Sequence, residues 1–447
     1  MRTLAICAAL AAACAPGLAL ATDGYYADGY GIKSKGRAGT GTGMATDAFG
    51  GANNPASMVF VGDRIDFGAS LFSPRRDSTR TGSAAGIDGR ADSESNYFLI
   101  PEFGYNKMIN ANMSLGISVY GNGGMNTDYP GGQISSGTAC GPATGPGTGF
   151  NPAPGPYNLL CGNGKLGVDF MQLFIAPTLA YKFAPDHSLG ISPIIGYQRF
   201  SADGLQAFSG FSNSPANLTN QGHDSAWGYG ARIGWFGRLS DTVSVGAAYS
   251  TKVYMQKFDK YKGLFADQGD FDAPETYSVG IAFKATPKLT VLADYRRINY
   301  NDIPAVGRRS ATVVNCNLVG GTDSTACLGG SNGAGFGWQN VNVYKIGFEY
   351  QYNSEVTLRA GYSRNNNPVE AQDVTFNILA PGVIQDHATL GFTYKTKSGG
   401  ELTMFYMHAF ENSVTGPSLF NSFGVPAGSE TIKMHQDAIG IAYGWNM

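Results

Sequence analysis

The sequence predicts an all-β fold, a fourteen-stranded antiparallel transmembrane β-barrel, and three observations predict it. First, from about Arg64 to the C-terminus, large apolar residues alternate with small or polar ones, as in Trp227-Gly-Tyr229-Gly-Ala231-Arg-Ile233-Gly-Trp235. Side chains alternate across a strand, so each stretch has one greasy face and one face of glycine, charge or amide. Inward Arg232, Lys345 and Glu349 flanked by glycines suit a wet barrel interior, with the greasy face meeting lipid. Second, charged residues make up only 14% of the chain, against about a quarter in a soluble domain, while glycines number 63. Third, the connections between the stretches alternate strictly between short and long.

Composition also sets exclusions. A net charge of −2 gives no reason to expect nucleic acid as a partner. Past the N-terminus no apolar run approaches the roughly 20 residues of a membrane helix, so a membrane form of this chain is a closed barrel.

Residues 1–21 read as a cleaved signal peptide: Arg2, an apolar stretch from Leu4 to Ala15, a break at Pro16-Gly17, and Ala19-Leu20-Ala21 before Thr22. Residues 22–63 do not alternate. They carry Tyr25-Tyr26, the glycine run Gly36-Arg-Ala-Gly-Thr-Gly-Thr-Gly43 and Asn54-Pro55-Ala56. By composition alone this segment reads as a periplasmic tail; its size and small residues would also let it fold back into a lumen.

Residues 64–447 then give strands near 64–72, 96–106, 113–121, 168–183, 187–201, 225–238, 242–254, 275–284, 288–300, 338–352, 355–364, 386–396, 400–411 and 436–446. Short turns fall at Lys107–Asn112, Pro185-Asp186, Leu239–Asp241, Thr286-Pro287, Asn353-Ser354 and Thr396–Gly399, with long connections between them. Short periplasmic turns and long outer loops are the asymmetry of outer-membrane barrels, and an even strand number puts both termini on the periplasmic side. The chain is accordingly expected in a Gram-negative outer membrane, as a monomer among lipid and lipopolysaccharide. Its last strand resembles those read by the barrel-assembly machinery, although it ends Asn446-Met447 instead of in an aromatic residue.

Four cysteines remain after the signal. Cys140 with Cys161, and Cys316 with Cys327, each share one Gly-, Pro- or Ser-rich loop, so two local disulfides are the economical pairing. Each would constrain its loop by about 3 kcal/mol. The paired C-x-x-C ligands of a metal site are absent, and no metal or other cofactor is expected.

The run Gly29-Tyr-Gly-Ile-Lys-Ser-Lys-Gly-Arg-Ala-Gly39, Ala45-Thr-Asp-Ala48 and Asn54-Pro55-Ala56 resembles the hatch of the FadL/TodX (OMPP1) outer-membrane transporters. Phe258–Ala266 through Gly269-Asp-Phe-Asp-Ala-Pro-Glu275, Ala293–Tyr300, and Leu358–Tyr362 with Asn367-Pro-Val369 resemble the same family, in family order. The resemblance implies a barrel plugged by residues 22–63 and passive, ligand-gated uptake of long-chain fatty acids or small aromatic hydrocarbons. Ligand would lodge between two outer loops, pass a deeper pocket, shift the hatch N-terminus, and leave sideways beside a kink in strand three.

These expectations place candidate residues. The kink is expected at Gly121, Gly123 and Gly124, because glycine tolerates the backbone angles it needs. The outer groove is expected from Leu205, Phe208 and Phe211 in one loop and Phe258, Tyr261, Leu264 and Phe265 in another; the spacing 258, 261, 265 predicts one face of a short amphipathic helix. Tyr25 and Tyr26 would meet ligand from the hatch, which Gly36, Asn54, Pro55 and Ala56 also mark. Inward Arg232, Arg296 and Lys345 could hold a carboxylate head group, or pair with inward Glu102, Asp294, Glu349 and the hatch. No catalytic residue is expected. The G-x-S-x-G at Gly329–Gly333 lies in a loop without the strand and helix that an esterase elbow needs. The function expected is uptake of hydrophobic compounds, long-chain fatty acids first, with neutral monoaromatic hydrocarbons or a general polar porin as alternatives.

Overall fold

The structure, a computed structural model, describes residues 23–447; the expected signal peptide lies outside the described residues. Fourteen strands form one sheet: β1 (Arg64–Thr81), β2 (Phe98–Asn110), β3 (Met113–Tyr129), β4 (Leu166–Ala184), β5 (His187–Asp203), β6 (Asp224–Arg238), β7 (Val243–Ser250), β8 (Thr276–Lys284), β9 (Leu289–Ile298), β10 (Val341–Gln351), β11 (Val356–Asn365), β12 (Asp386–Lys395), β13 (Gly400–Pro417) and β14 (Ser429–Asn446). Each pairs antiparallel with the next, and β1 pairs β14 from Arg64 opposite Asn446 to Thr81 opposite Ser429, which closes the barrel. Two short strands add to this frame. Gly89–Asp92 lies against the outer end of β1, and Tyr254–Met255 against β6.

The period-2 pattern decides what faces out. Leu189 stands opposite Trp235 and Ile233 opposite Tyr249, and Leu189, Ile233, Val279, Tyr344 and Leu390 are among the exposed large side chains. Their neighbours in the chain point inward and are charged or small, as expected for a polar interior behind a lipid-facing belt. Residues 23–63 stay out of the ladder except for one bridge, Tyr26 to Gly123. They are largely buried among inward-facing strand residues.

Several strands run further than their apolar pattern. β1 continues from 72 to Thr81 through Arg75-Arg-Asp-Ser-Thr-Arg80, β3 continues through Gly121–Gly124 to Tyr129, and the β13–β14 ladder leaves only 418–428 as a loop. Ladder hydrogen bonds do not require apolar side chains, so pairing outlasts the greasy belt. In the opposite sense β7 stops at Ser250, and β10 starts at Val341, leaving Trp338 in the preceding loop. Both expected disulfides, Cys140–Cys161 and Cys316–Cys327, tie outer loops.

Candidate functional site

The outer loops meet over an apolar cleft. Of the residues expected in the outer groove, Leu205, Phe208, Leu264 and Phe265 line it, together with Leu160, Phe200, Phe336, Phe376 and Leu379. Its open space is about 40 Å³, so the side chains are nearly closed on one another. The other three expected residues pack just behind. Phe211 meets Phe423 edge-on with ring centroids 4.9 Å apart, Phe258 lies 5.7 Å from Phe200, and the Tyr261 hydroxyl donates to the Gly222 carbonyl at 2.7 Å. The amphipathic helix expected over 258–265 does not form. Only one turn, Asp259–Tyr261, is helical, and Gly263 packs against the Ser214 carbonyl where a side chain would not fit. Beyond it Asp267 and Gln268 take left-handed φ angles of 52° and 62°, and their amides donate to Gly330 and Gly329 of the β9–β10 loop.

From this cleft an aromatic wall leads into the barrel. Phe265 lies 5.0 Å from Phe271, Phe271 4.8 Å from Phe170, and Phe170 5.7 Å from Tyr25. Tyr25 in turn lies 5.0 Å from Tyr300 and 6.0 Å from Trp338. Edge-to-face and tilted contacts of this kind add about 0.5–1.5 kcal/mol each beyond burial. The Tyr25 hydroxyl is buried with no hydrogen-bond partner among the described residues. Tyr26 is fixed at its amide, which donates to the Tyr300 hydroxyl at 3.0 Å, and at its own hydroxyl, which donates to the Pro274 carbonyl at 3.1 Å.

The wall ends at a β-bulge in β3. Its register against β4 shifts between Gly121 and Gly123, leaving Asn122 as the extra residue. The Ala27 amide donates to the Asn122 carbonyl at 3.0 Å, and the Gly124 amide to the Tyr25 carbonyl at 2.9 Å. A Cβ at position 123 would stand 2.1 Å from that same Tyr25 oxygen, so this approach requires glycine. Asn122 also accepts from the Tyr30 hydroxyl at 2.7 Å and donates to Gln172 at 2.7 Å.

Behind the wall the lumen is polar and filled. Lys35 pairs with Glu102 at 3.0 Å, Arg37 with Glu349 at 2.7 Å, and Lys33 with Glu401 at 2.6 Å. The Gly41 and Thr42 amides donate to Asp294. Gly36 ends a helical turn, Ile32–Lys35. Asn54 donates to the Thr42 and Trp235 carbonyls and accepts from the Ala56 amide, capping the Pro55–Phe60 turn.

The three candidate head-group cations sit against residues 23–63. Arg232 donates to the Gly51 and Ala52 carbonyls, Arg296 to the Ala27 carbonyl at 3.0 Å with Tyr26 and Tyr30 rings beneath it, and Lys345 to the Asp28 carbonyl with Asp23 at 3.3 Å. In the β7–β8 loop, burial and the neighbouring Asp272 and Asp267 push the Asp270 carboxyl up to about 6.

Sequence reasoning missed Phe170, Phe271, Tyr300 and Trp338. Phe271 and Tyr300 lie inside stretches already singled out, but just beyond strand ends, where alternation no longer says which way a ring points. It also missed Arg76, inward on the unforeseen extension of β1.

Comparison with known proteins fits this geometry. Residues 164–446 match the family described as outer membrane protein transport protein (OMPP1/FadL/TodX). A Neisseria meningitidis serogroup B chain named as outer membrane protein NMB0088 is 25% identical over 263 residues, which cover 51% of this chain and 53% of that one. The chain thus spans about half the length of that curated relative. Among solved structures, the Pseudomonas putida toluene transporter TodX aligns over 94% of this chain and 99% of its own, with a TM-score of 0.66 and 16% identity. A Pseudomonas aeruginosa FadL homologue gives 0.66 at 15% identity over 95% and 99%. The Ralstonia pickettii toluene transporter TbuX gives 0.59 at 17% over 94% and 99%. At these identities the likeness concerns the fold, a closed fourteen-stranded barrel. With the family match covering more than half of its residues, the chain belongs to the OMPP1/FadL/TodX family of outer-membrane transport proteins.

Proposed function

We propose that this chain carries hydrophobic compounds passively across the outer membrane, with long-chain fatty acids as the favoured ligand. The observation behind this reading is the continuous run of aromatic contact from the loop cleft through Phe271, Phe170 and Tyr25 to the bulge at Asn122. Apolar ligand captured between the loops gains about 0.8 kcal/mol per buried CH₂, enough for micromolar binding of an acyl chain. Residues 23–63 act as a hatch, and ligand arriving at Tyr25 and Tyr26 competes for the contacts that hold its N-terminus on β3. The exit is sideways beside Gly121, Gly123 and Gly124, into the membrane. Arg232, Arg296 and Lys345 serve chiefly to seat the hatch.

A second reading, uptake of neutral monoaromatic hydrocarbons, is favoured by the outer cleft, whose lining carries no charged residue. TodX and TbuX are described as toluene transporters, which accords with it. A general porin fits less well, because residues 23–63 occupy the interior. The proposed setting is a monomer surrounded by outer-membrane lipid and lipopolysaccharide, inserted by the barrel-assembly machinery, with transport and no catalysis.

The test is binding of oleate and of toluene to the purified barrel, with conductance in planar bilayers alongside. We expect saturable binding of at least one ligand and little ion conductance. A steady open-pore conductance with neither ligand bound would overturn the proposal.

A further inference from the structure

We propose that Arg76 is a recognition site for the carboxylate of an anionic amphiphile, set where the aromatic wall approaches the wall bulge. The inference rests on the transport reading above and deepens it by choosing the ligand's charge.

Nearly every buried cation of the lumen faces a carboxylate: Lys33, Lys35, Arg37, Arg64, Arg80, Arg296, Lys345 and Arg359 all do. Two buried guanidiniums among the described residues, Arg232 and Arg76, do not. Arg232 is already held by the Gly51 and Ala52 carbonyls and the Tyr120 hydroxyl, and it shares its cavity with Asp28 and Asp294 as well as Arg296 and Lys345, so charges of both signs are present there. Arg76 is 5% exposed, and its partners are two backbone carbonyls, Asn126 and Ser95, with the Phe98 ring beneath its guanidinium. Its Nε has no hydrogen-bond partner among the described residues.

A buried guanidinium matched only by neutral carbonyls bears a desolvation cost that an anion would relieve, and its planar fork is shaped for a carboxylate. The space beside it, about 20 Å³, admits a water-sized group and is walled by Phe72, Met125, Trp338 and Pro381. Trp338 also touches the Tyr25 end of the aromatic wall. A head group on Arg76 therefore leaves its tail against Trp338 and Tyr25, with Gly124 of the bulge in the same pocket. A neutral hydrocarbon has no use for this charge.

The experiment measures binding of oleate and of methyl oleate to the full barrel in detergent, for the wild type, Arg76→Gln, Arg76→Lys and Arg75→Gln. Arg75 is the adjacent residue, turned outward onto Tyr97, and controls for a lost positive charge. We expect wild-type oleate to bind at least about tenfold tighter than its ester, as a hydrogen bond to a charged group implies. Arg76→Gln should abolish that preference and leave the ester unchanged, Arg76→Lys should keep part of it, and Arg75→Gln all of it. Equal wild-type affinity for acid and ester overturns the proposal without any variant. So does a preference that survives in a folded Arg76→Gln barrel. Ester binding that persists in either case leaves the transport reading standing; failure of the wild type to bind acid, ester or toluene overturns both.

Discussion

Two regions inside the barrel are held by opposite means. Around Lys33–Asn54 the proposed hatch, residues 23–63, is fastened by ion pairs and by amides on carboxylates, each contact directional and matched to one partner. Around Phe200, Phe265, Phe271 and Phe170 the β7–β8 loop meets β4 and β5 through rings with no polar partner to satisfy. The difference teaches where movement is cheap. Pulling a buried ion pair apart leaves an unpaired charge, which costs about 3–5 kcal/mol, whereas rings can slide while still touching a hydrophobic ligand. On these energetics the first region is expected to hold and the second to yield. The joint between them is the short stretch Tyr25–Ala27, aromatic on one side and hydrogen-bonded to the bulge on the other.

The strongest way to break this contrast is to neutralise one pair. Lys35 and Glu102 are both buried, and removing the cation leaves a buried carboxylate without its ion-pair partner. Lys35→Met should weaken docking of residues 31–41 by about 3 kcal/mol, read as a rise of about 100-fold in amide hydrogen exchange there. The double variant Lys35→Met with Glu102→Gln should recover most of that protection. Affinity for a hydrophobe in the outer cleft should not change in either; a parallel loss would mean that the two regions are one unit.

A smaller effect is expected at the joint. In Gly123→Leu the new side chain begins 2.1 Å from the Tyr25 carbonyl oxygen, so either the bulge or the Tyr25–Ala27 stretch must shift. Overpacking of this kind costs about 1–3 kcal/mol. Exchange at the Ala27 amide should rise by about tenfold while Lys35–Arg37 stay protected. Uniform loss across residues 23–63 would show that the ion pairs do not hold the hatch independently of the bulge.

How much of this was legible in the sequence differs between the same two regions. Strand count, inward charges and both disulfide pairings followed from period-2 alternation and loop composition, because those signals are local. Gly121, Gly123 and Gly124, expected as a kink, mark the bulge, whereas the strand expected to end near 121 runs on eight residues to Tyr129. The aromatic wall was not legible. Phe170, Phe271, Tyr300 and Trp338 come from four separate parts of the chain, and only tertiary folding brings them to Tyr25. Arg76 escapes the sequence for a simpler reason: the expected strand ends at residue 72, where the apolar pattern fades but the inward alternation of Phe72, Pro74, Arg76, Ser78 and Arg80 does not.

The smallest effect should appear in the aromatic partner of the contrast, the β7–β8 loop that carries Phe258 and Phe265. Asp270 there has its carboxyl raised from 3.8 to about 6 by burial, then by Asp272 and Asp267. A carboxylate whose folded value is raised favours the docked loop in its protonated form. Docking is therefore fully supported below about pH 3.8 and loses that support as pH rises through about 6. The group is only about half buried, so solvent screening keeps the effect small. Amide exchange over 256–272, corrected for intrinsic pH dependence, should report slightly looser packing at pH 7.5 than at pH 4.5. Asp270→Asn, which cannot ionise, should flatten that difference while leaving hatch exchange at every pH as it was. A pH response of equal size in both regions would mean that Asp270 reports on the whole barrel, and the division between a fixed hatch and a yielding loop cleft would fall.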